Sequence, residues 1–421
     1  MPLLQVFILS VLEACALESY IVAIHEHNVI LSQNSEIPVL PEDAFMLMDK
    51  NMDILEAAIK AATKQSAHII VTPEGGIYGW LLTRETIYPY LEDIPDPQVD
   101  WILLQPFVTE KQFNYPKKPE FVTFNISFEY FGIFTCADIL CHDPAVVLTS
   151  RFQVDTILFP TAWGNTLPLL SAVQFHSAWA VGLGVNFLSA NTRSSSLDMA
   201  GSGIYAPDSP RAYHYNTEME NGHYLVTELS SHPHLSPTYP AAVNWKLHAS
   251  SIEQLPSSDQ HFSGVFYHDI FSFTELTEPE GNPAVCQKDL CCHLSYKMAE
   301  KQKDDIYVLG AFDGLHTVEE QYYWQICALL KCKSTDPKSC GQPVETAQTR
   351  FDMFSLSGTF GTSYVFPEVL YSGVQLAPGE FEVLTDGRRI SQTRTSRAVL
   401  SVRLFGRWYE KDPPHTEQAS P

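Results

Sequence analysis

The 421-residue sequence predicts an α/β layer followed by a β-rich, disulfide-tied region. Three observations carry this. Over the first half, short apolar runs of strand length alternate with stretches of helical spacing. After about residue 235 the composition shifts to Pro, Ser and His (SHPHLSPTYP) and then to aromatic, turn-rich segments of strand character. Six of the nine cysteines, Cys286, Cys291, Cys292, Cys327, Cys332 and Cys340, crowd into that second part.

The chain opens with an apolar run, Leu3 to Leu12, too short for the roughly 20 residues that cross a bilayer. Ala14-Cys15-Ala16 then places small residues at the −3 and −1 positions of a signal-peptidase site. A signal peptide over 1–16 and a secreted, extracellular chain are expected. No Lys or Arg precedes the run and Glu13 adjoins the site, so a buried first strand is the alternative.

Residues 20–24 (YIVAI) read as a strand. Pro41, Glu42 and Asp43 open a helix, because Pro fits its first position and acidic side chains suit its first turn. Met48, Met52, Leu55, Ile59 and Ala62 follow at helical spacing and predict its buried stripe. His68 to Val71 is the next strand, ending in Thr72-Pro73-Glu74. Tyr130 to Thr135, Asp155 to Phe159 and Val185 to Ala190 read as further buried strands, with a helix over 167–182 between the last two. Gly201-Ser202-Gly203 reads as a turn, since no helix with Lys-Ser/Thr follows to make a phosphate loop.

Charge and composition exclude whole classes. With 26 Lys and Arg against 49 Asp and Glu, the net charge is −23. That argues against nucleic acid as a partner, which needs a basic face to neutralise phosphates. Hydrophobic residues at 45% exclude a disordered chain. From the polar ending KDPPHTEQASP neither a transmembrane anchor nor a GPI signal is expected.

The clustered cysteines fit three disulfides better than zinc, whose sites favour C-x2-C pairs. Here the close pairs are C-x4-C, and Cys291 and Cys292 are adjacent. Fifteen pairings of six cysteines remain open at this point. Cys136 and Cys141 stand apart, and Asn125-Ile126-Ser127 is a glycosylation sequon that fits a secretory route.

Two strand ends carry candidate catalytic groups, Glu74 and Cys136. Ligands of α/β sheets bind at the carboxyl ends of strands, and a thiol beside a carboxylate base makes a workable nucleophile. The alternative for either free-standing cysteine is a small buried hydrophobe, the commoner fate of an unpaired thiol. That alternative is preferred for Cys141. His142 and Asp143 are expected to cap the next helix and shape a pocket wall.

Longer motifs narrow the reading. Phe134-Thr135-Cys136-Ala137-Asp138-Ile139, Phe159-Pro160-Thr161-Ala162-Trp163 and Val185 to Asn191 resemble the nitrilase superfamily. Thr72 to Trp80, Tyr88 to Pro97, Gly201 to Pro207 and Cys286 to Leu294 are similar to one branch of it, the vanins or pantetheinases; biotinidase is the sister branch. The resemblance implies a nitrilase-like αββα sandwich over 17–235 and a vanin-type β-rich domain over 236–421. It also implies a Glu, Lys, Cys triad, with Glu74 as general base and Cys136 as the nucleophile that forms a thioester. The substrate would be a small molecule, pantetheine, cleaved to pantothenate and cysteamine; a biotinidase-like amidase is the less favoured version. No metal or organic cofactor is implied.

One departure matters. In the vanins the triad Lys lies between the Glu and the Cys, yet here no such motif occurs in the 62 positions separating Glu74 from Cys136. Aligning back from Phe107 puts Leu103 at the family's Lys position, so the sandwich is expected to be shortened by an internal deletion near 102–104. Leucine has neither charge nor proton to offer. Lys111 is the nearest cation but matches another part of the motif, and Lys117 and Lys118 sit in a proline-flanked loop. Losing an oxyanion-stabilising group costs about 2.7–4 kcal/mol. A secreted, catalytically impaired relative is therefore the second expectation. Ala137 also stands where the vanins carry a large aromatic.

Overall fold

The computed structural model describes residues 18–91, 120–218, 222–233, 261–318, 320–377, 379–383 and 387–413. The expected leader over 1–16, Leu103 and the deletion near it, Lys111, Lys117, Lys118 and the expected boundary at 235/236 lie outside these residues.

Strand β1 (Ser19–Glu26) alternates, sending Tyr20, Val22 and Ile24 into a shared core. Helix α1 (Pro41–Lys64) starts with Pro at its beginning and Glu42 and Asp43 in its first turn, as expected. Its buried face is not the expected stripe. Ala44, Asn51, Ala58 and Ala62 are buried, while Met52 and Ile59 remain 44% and 47% exposed. Asn51 turns inward because it bonds to two loops of the sandwich, and the alanines beside it allow close approach. Of the predicted stripe, Ala62 alone is fully covered.

Strand β2 (Ile69–Val71) pairs parallel with β1. Strands β3 (Val122–Ile126), β4 (Glu129–Ile133) and β5 (Thr156–Thr161) follow, then helix α2 (Ala172–Leu183), β6 (Asn186–Asn191), β7 (Ser202–Tyr205), β8 (Pro210–His214) and β9 (His223–Ser230). One sheet has the order β2-β1-β9 and the other runs β3 through β8 in sequence, with β4, β5 and β6 parallel. Strand β6 is buried throughout, and its polar members are bonded: Asn186 to the Ser230 carbonyl, Ser189 to His176 and Asn191 to the Trp163 N–H.

The expected helix at 167–182 begins only at Ala172. Thr166 and Leu170 exchange backbone hydrogen bonds in a turn, and the Asn165 side chain accepts from the Ala172 N–H at 2.9 Å. Gly184, in the left-handed region at φ 70°, closes the helix. Ser202 and Gly203, expected in a turn, instead begin β7, and of the three residues Gly201 alone takes a positive φ, 106°.

Tyr20, Val22, Ile24 and Val71 of the first sheet pack against Phe131, Leu158, Leu188 and Ile204 of the second. Val173, Phe175 and Trp179 of α2 cover the second sheet's other face at Phe134, Phe159 and Phe187. With α1 tied to the loops of the first sheet, the layers run helix, sheet, sheet, helix. This is the nitrilase-like αββα arrangement.

Beyond residue 260 the chain is antiparallel β, in a seven-stranded and a six-stranded sheet among the described residues. The six clustered cysteines form Cys286–Cys291, Cys292–Cys327 and Cys332–Cys340, which settles the choice against zinc. Cys292 and Cys327 lie in strands of different sheets, so their bond joins the two sheets.

This region shares a core with the α/β layers. One apolar cluster runs from Phe134 through Phe175 to Phe405. Gly182 makes the contact close: a Cβ there would stand 2.7 Å from the Phe366 ring. Arg403 Nη2 donates to the Gln174 carbonyl at 3.1 Å. Helix α2 is therefore enclosed on both sides, and its apolar residues run all the way round.

Within this shared core His176 bonds to Ser189 Oγ at 2.8 Å. Burial, with Arg403 adding, pushes its imidazole down to about 3. The folded state thus holds His176 neutral, and stability present above about 6.5 is lost as pH falls towards about 3. Glu368, raised to about 7 by burial, acts in the opposite sense. Thermal melts from pH 7 to pH 3.5 are expected to fall more steeply for the native chain than for His176→Gln, a difference in which Glu368 cancels.

Candidate active site

The parallel strands define one rim. Strands β4, β5 and β6 run together, β1 and β2 run together, and a parallel bridge between His27 and Thr192 aligns β1 with β6. The carboxyl ends of five strands from both sheets therefore meet on one side, where α/β folds place their ligands. Glu74 follows β2 and Cys136 follows β4, so the topology brings one to the rim from each sheet.

Cys136 is the first residue of the 3₁₀ helix Cys136–Leu140 and lies outside the disulfides. Its φ is +42°, which an L side chain adopts at a cost of about 1–2 kcal/mol. A reciprocal cap fixes the entry to this turn. The Thr135 N–H donates to Asp138 Oδ2 at 3.1 Å, and the Thr135 side chain accepts from the Asp138 N–H. Phe134, just before, is buried edge-on against Phe159 and Trp179.

Glu74 is half-buried on a loop folded back on itself. The Gly79 N–H donates to the Gly75 carbonyl at 2.6 Å. Gly75 has φ +60°, and a Cβ there would meet the Gly79 backbone at 2.9 Å. The fully buried Asn51 ties this loop to α1. Its Nδ2 donates to the carbonyls of Ile77 at 2.8 Å and Ile30 at 3.0 Å. Its Oδ1 accepts from the Ile30 N–H at 2.8 Å and lies 3.1 Å from His27 Nε2. Asn51→Leu strands several buried polar groups at about 1–3 kcal/mol each, so a clear fall in the urea midpoint is expected.

Behind the rim sits a second polar group that sequence reasoning missed. Glu26, the last residue of β1, pairs with Arg193 Nη1 at 2.8 Å, and both are buried. Glu26 Oε2 also accepts from the Gly201 N–H at 3.1 Å and Ser202 Oγ at 2.9 Å. Both carboxylate oxygens are occupied, which makes it a brace. Nothing in the local sequence marks it, because its partners lie some 170 residues away.

The remaining candidates separate. His142 and Asp143 bond to each other at 2.6 Å on the surface, and neither caps the following helix. Cys141 is partly covered, and burial, with Asp138 and Glu320 adding, pushes its thiol up to about 12. That agrees with the covered, unreactive role expected of it. Glu129, Asp155 and His232 bring ligand atoms within 4.8 Å of one another, but at the amino ends of β4 and β5, opposite Cys136. They are engaged mutually: His232 Nδ1 lies 3.1 Å from Asp155 Oδ2, and its backbone N–H donates to Glu129 at 3.2 Å.

The rim thus offers a thiol on a strained turn and a carboxylate on a braced loop. A thiol attacks a carbonyl carbon, and a carboxylate can take its proton and later activate water.

Residues 260–412 match the Vanin C-terminal domain. Over the whole chain, pantetheinase of Bos taurus is 52% identical, covering 95% of this chain and 91% of its own. Pantetheinase of Mus musculus is 50% identical over 96% and 92%, and biotinidase of Takifugu rubripes 33% identical over 94% and 95%. The bovine alignment spans 469 residues, whereas 95% of this chain is about 400, so about 70 alignment positions have no residue here. Among solved structures, an amidase from the nitrilase superfamily of Nesterenkonia AN1 aligns over 55% of this chain and 97% of its own, at 16% identity and a TM-score of 0.38.

Proposed function

This chain belongs to the vanin/pantetheinase family of amide hydrolases, and from that premise we propose that it hydrolyses pantetheine through a thioester on Cys136. Glu74 takes the thiol proton as Sγ attacks the amide carbonyl carbon. The tetrahedral intermediate collapses, the C–N bond breaks, and Glu74 returns its proton to the departing nitrogen, so the amine leaves as cysteamine and Glu74 is again a base. Water, deprotonated by Glu74, then opens the thioester, releasing pantothenate and restoring the thiol. The observation that carries this is the placement of Cys136, at φ +42° on a capped turn, on the same rim as Glu74.

A second reading has its own support. The alignment positions without a residue here fit a chain that has lost the family's Lys, whose charge would hold the oxyanion. Such a chain acylates slowly, by about a hundred- to thousandfold for one lost stabilising group. The two readings separate in one experiment. The full chain is incubated with pantetheine while cysteamine release and intact protein mass are followed. Release at a rate comparable to that of Bos taurus pantetheinase run beside it supports the hydrolase; release about a hundred- to thousandfold slower, or none despite substrate binding, supports the impaired form.

Secretion belongs to the same reading. Three disulfides suit an oxidising compartment. Asn125 is exposed on the edge strand β3, open to glycosylation. No helix among the described residues is long and apolar enough to cross a membrane.

A further inference from the structure

The far end of the Cys136 turn is held by the C-terminal region. Arg407 ends the strand Val399–Arg407 and is fully buried. Its Nε donates to the Leu140 carbonyl at 2.9 Å. Nη1 donates to the Tyr323 carbonyl at 2.9 Å, and Asp412 takes Nη1 at 3.1 Å and Nη2 at 2.6 Å as a fork. The rings of Tyr322 and Tyr409 lie 4.8 and 4.6 Å from the guanidinium carbon. Carboxylate fork and flanking rings leave this side chain one orientation.

Leu140 is the last residue of the 3₁₀ helix that Cys136 begins, where carbonyls lack partners within the helix. We propose that Arg407 is a positioning residue for Cys136, fixing the nucleophile turn through the Leu140 carbonyl. The inference rests on Cys136 being the nucleophile. A residue at positive φ keeps its conformation only while its surroundings over-determine it. The Thr135–Asp138 cap fixes one end of the turn and Arg407 the other, so releasing Leu140 lets Cys136 relax and its sulfur shift. A displacement of about 1 Å is enough to cost about a hundredfold in a positioned reaction.

The test reads the thiol directly. Alkylation of Cys136 by iodoacetamide is followed from pH 5 to pH 9 by peptide mass, in the full chain and in Arg407→Met, Arg407→Lys and Asp412→Asn, with folding checked by circular dichroism. Arg407→Met is expected to slow Cys136 by about tenfold or more and to move the midpoint of its pH profile. Arg407→Lys should recover part of the rate, because an ammonium reaches one acceptor but not the fork. Folded Arg407→Met with the native rate and midpoint overturns the proposal. If Arg407→Met does not fold, Asp412→Asn decides, a shift in rate and midpoint supporting the proposal and native values overturning it. A native chain that alkylates at Cys136 but leaves pantetheine intact counts against the proposed function and not against this role.

Discussion

Replacing Cys136 with Ala is expected to abolish cysteamine release from pantetheine, a loss of about 10⁴-fold or more. Removing a covalent nucleophile eliminates the reaction path, so the expected loss exceeds that for any positioning group. Cys136→Ser keeps the shape but offers an oxygen that Glu74 cannot deprotonate to any extent, and it should be nearly as inactive. Glu74→Gln keeps a hydrogen-bonding side chain without a base, and a drop of about 10²–10⁴-fold is expected. Cysteamine assays with intact-mass detection of the acyl adduct check all three. Unchanged turnover in Cys136→Ala would move the nucleophile elsewhere, and Cys141, with its thiol raised to about 12, is a poor substitute.

A large loss of stability is expected from Arg193→Met. Glu26 and Arg193 are both buried, and Oε2 of the same carboxylate holds Gly201 and Ser202. Removing only the cation leaves an uncompensated buried charge, worth about 3–5 kcal/mol. Scans at a fixed heating rate should show a lower Tm by several degrees. The double variant Glu26→Gln, Arg193→Met should lose less than the two single losses combined, because the groups interact directly. Equal additivity would mean that the pair is not coupled and that the brace lies in the backbone contacts alone.

Strands β1, β2, β4, β5 and β6, α1's start and the disulfide count were legible because each rests on local chemistry. Pro41 with two acidic neighbours and the apolar runs at 69–71 and 157–159 need no distant partner to be read. The buried face of α1 was not legible, because Asn51 outcompetes Met52 and Ile59 only once loops at 27–30 and 77 arrive to receive it. The late start of α2 depends likewise on the Thr166–Leu170 turn, and the strand at Ser202 on Glu26. For the site, Glu74 and Cys136 were visible as polar groups at strand ends, whereas their shared rim follows from sheet pairing. Asn51, Glu26 and Arg407 escaped notice for one reason. Each binds backbone or side chains far away in sequence, and its own neighbourhood carries no motif.

The bond between Cys292 and Cys327 has a mechanical consequence. Cys327 pairs across the sheet with Leu404, three residues before Arg407 on the same strand. From that covalent cross-link the path runs through the strand to Arg407, then to the Leu140 carbonyl and the Cys136 turn. On the proposed role of Arg407, opening this cross-link would loosen the strand that carries its guanidinium, which would tie oxidation of the β-rich region to the Cys136 turn.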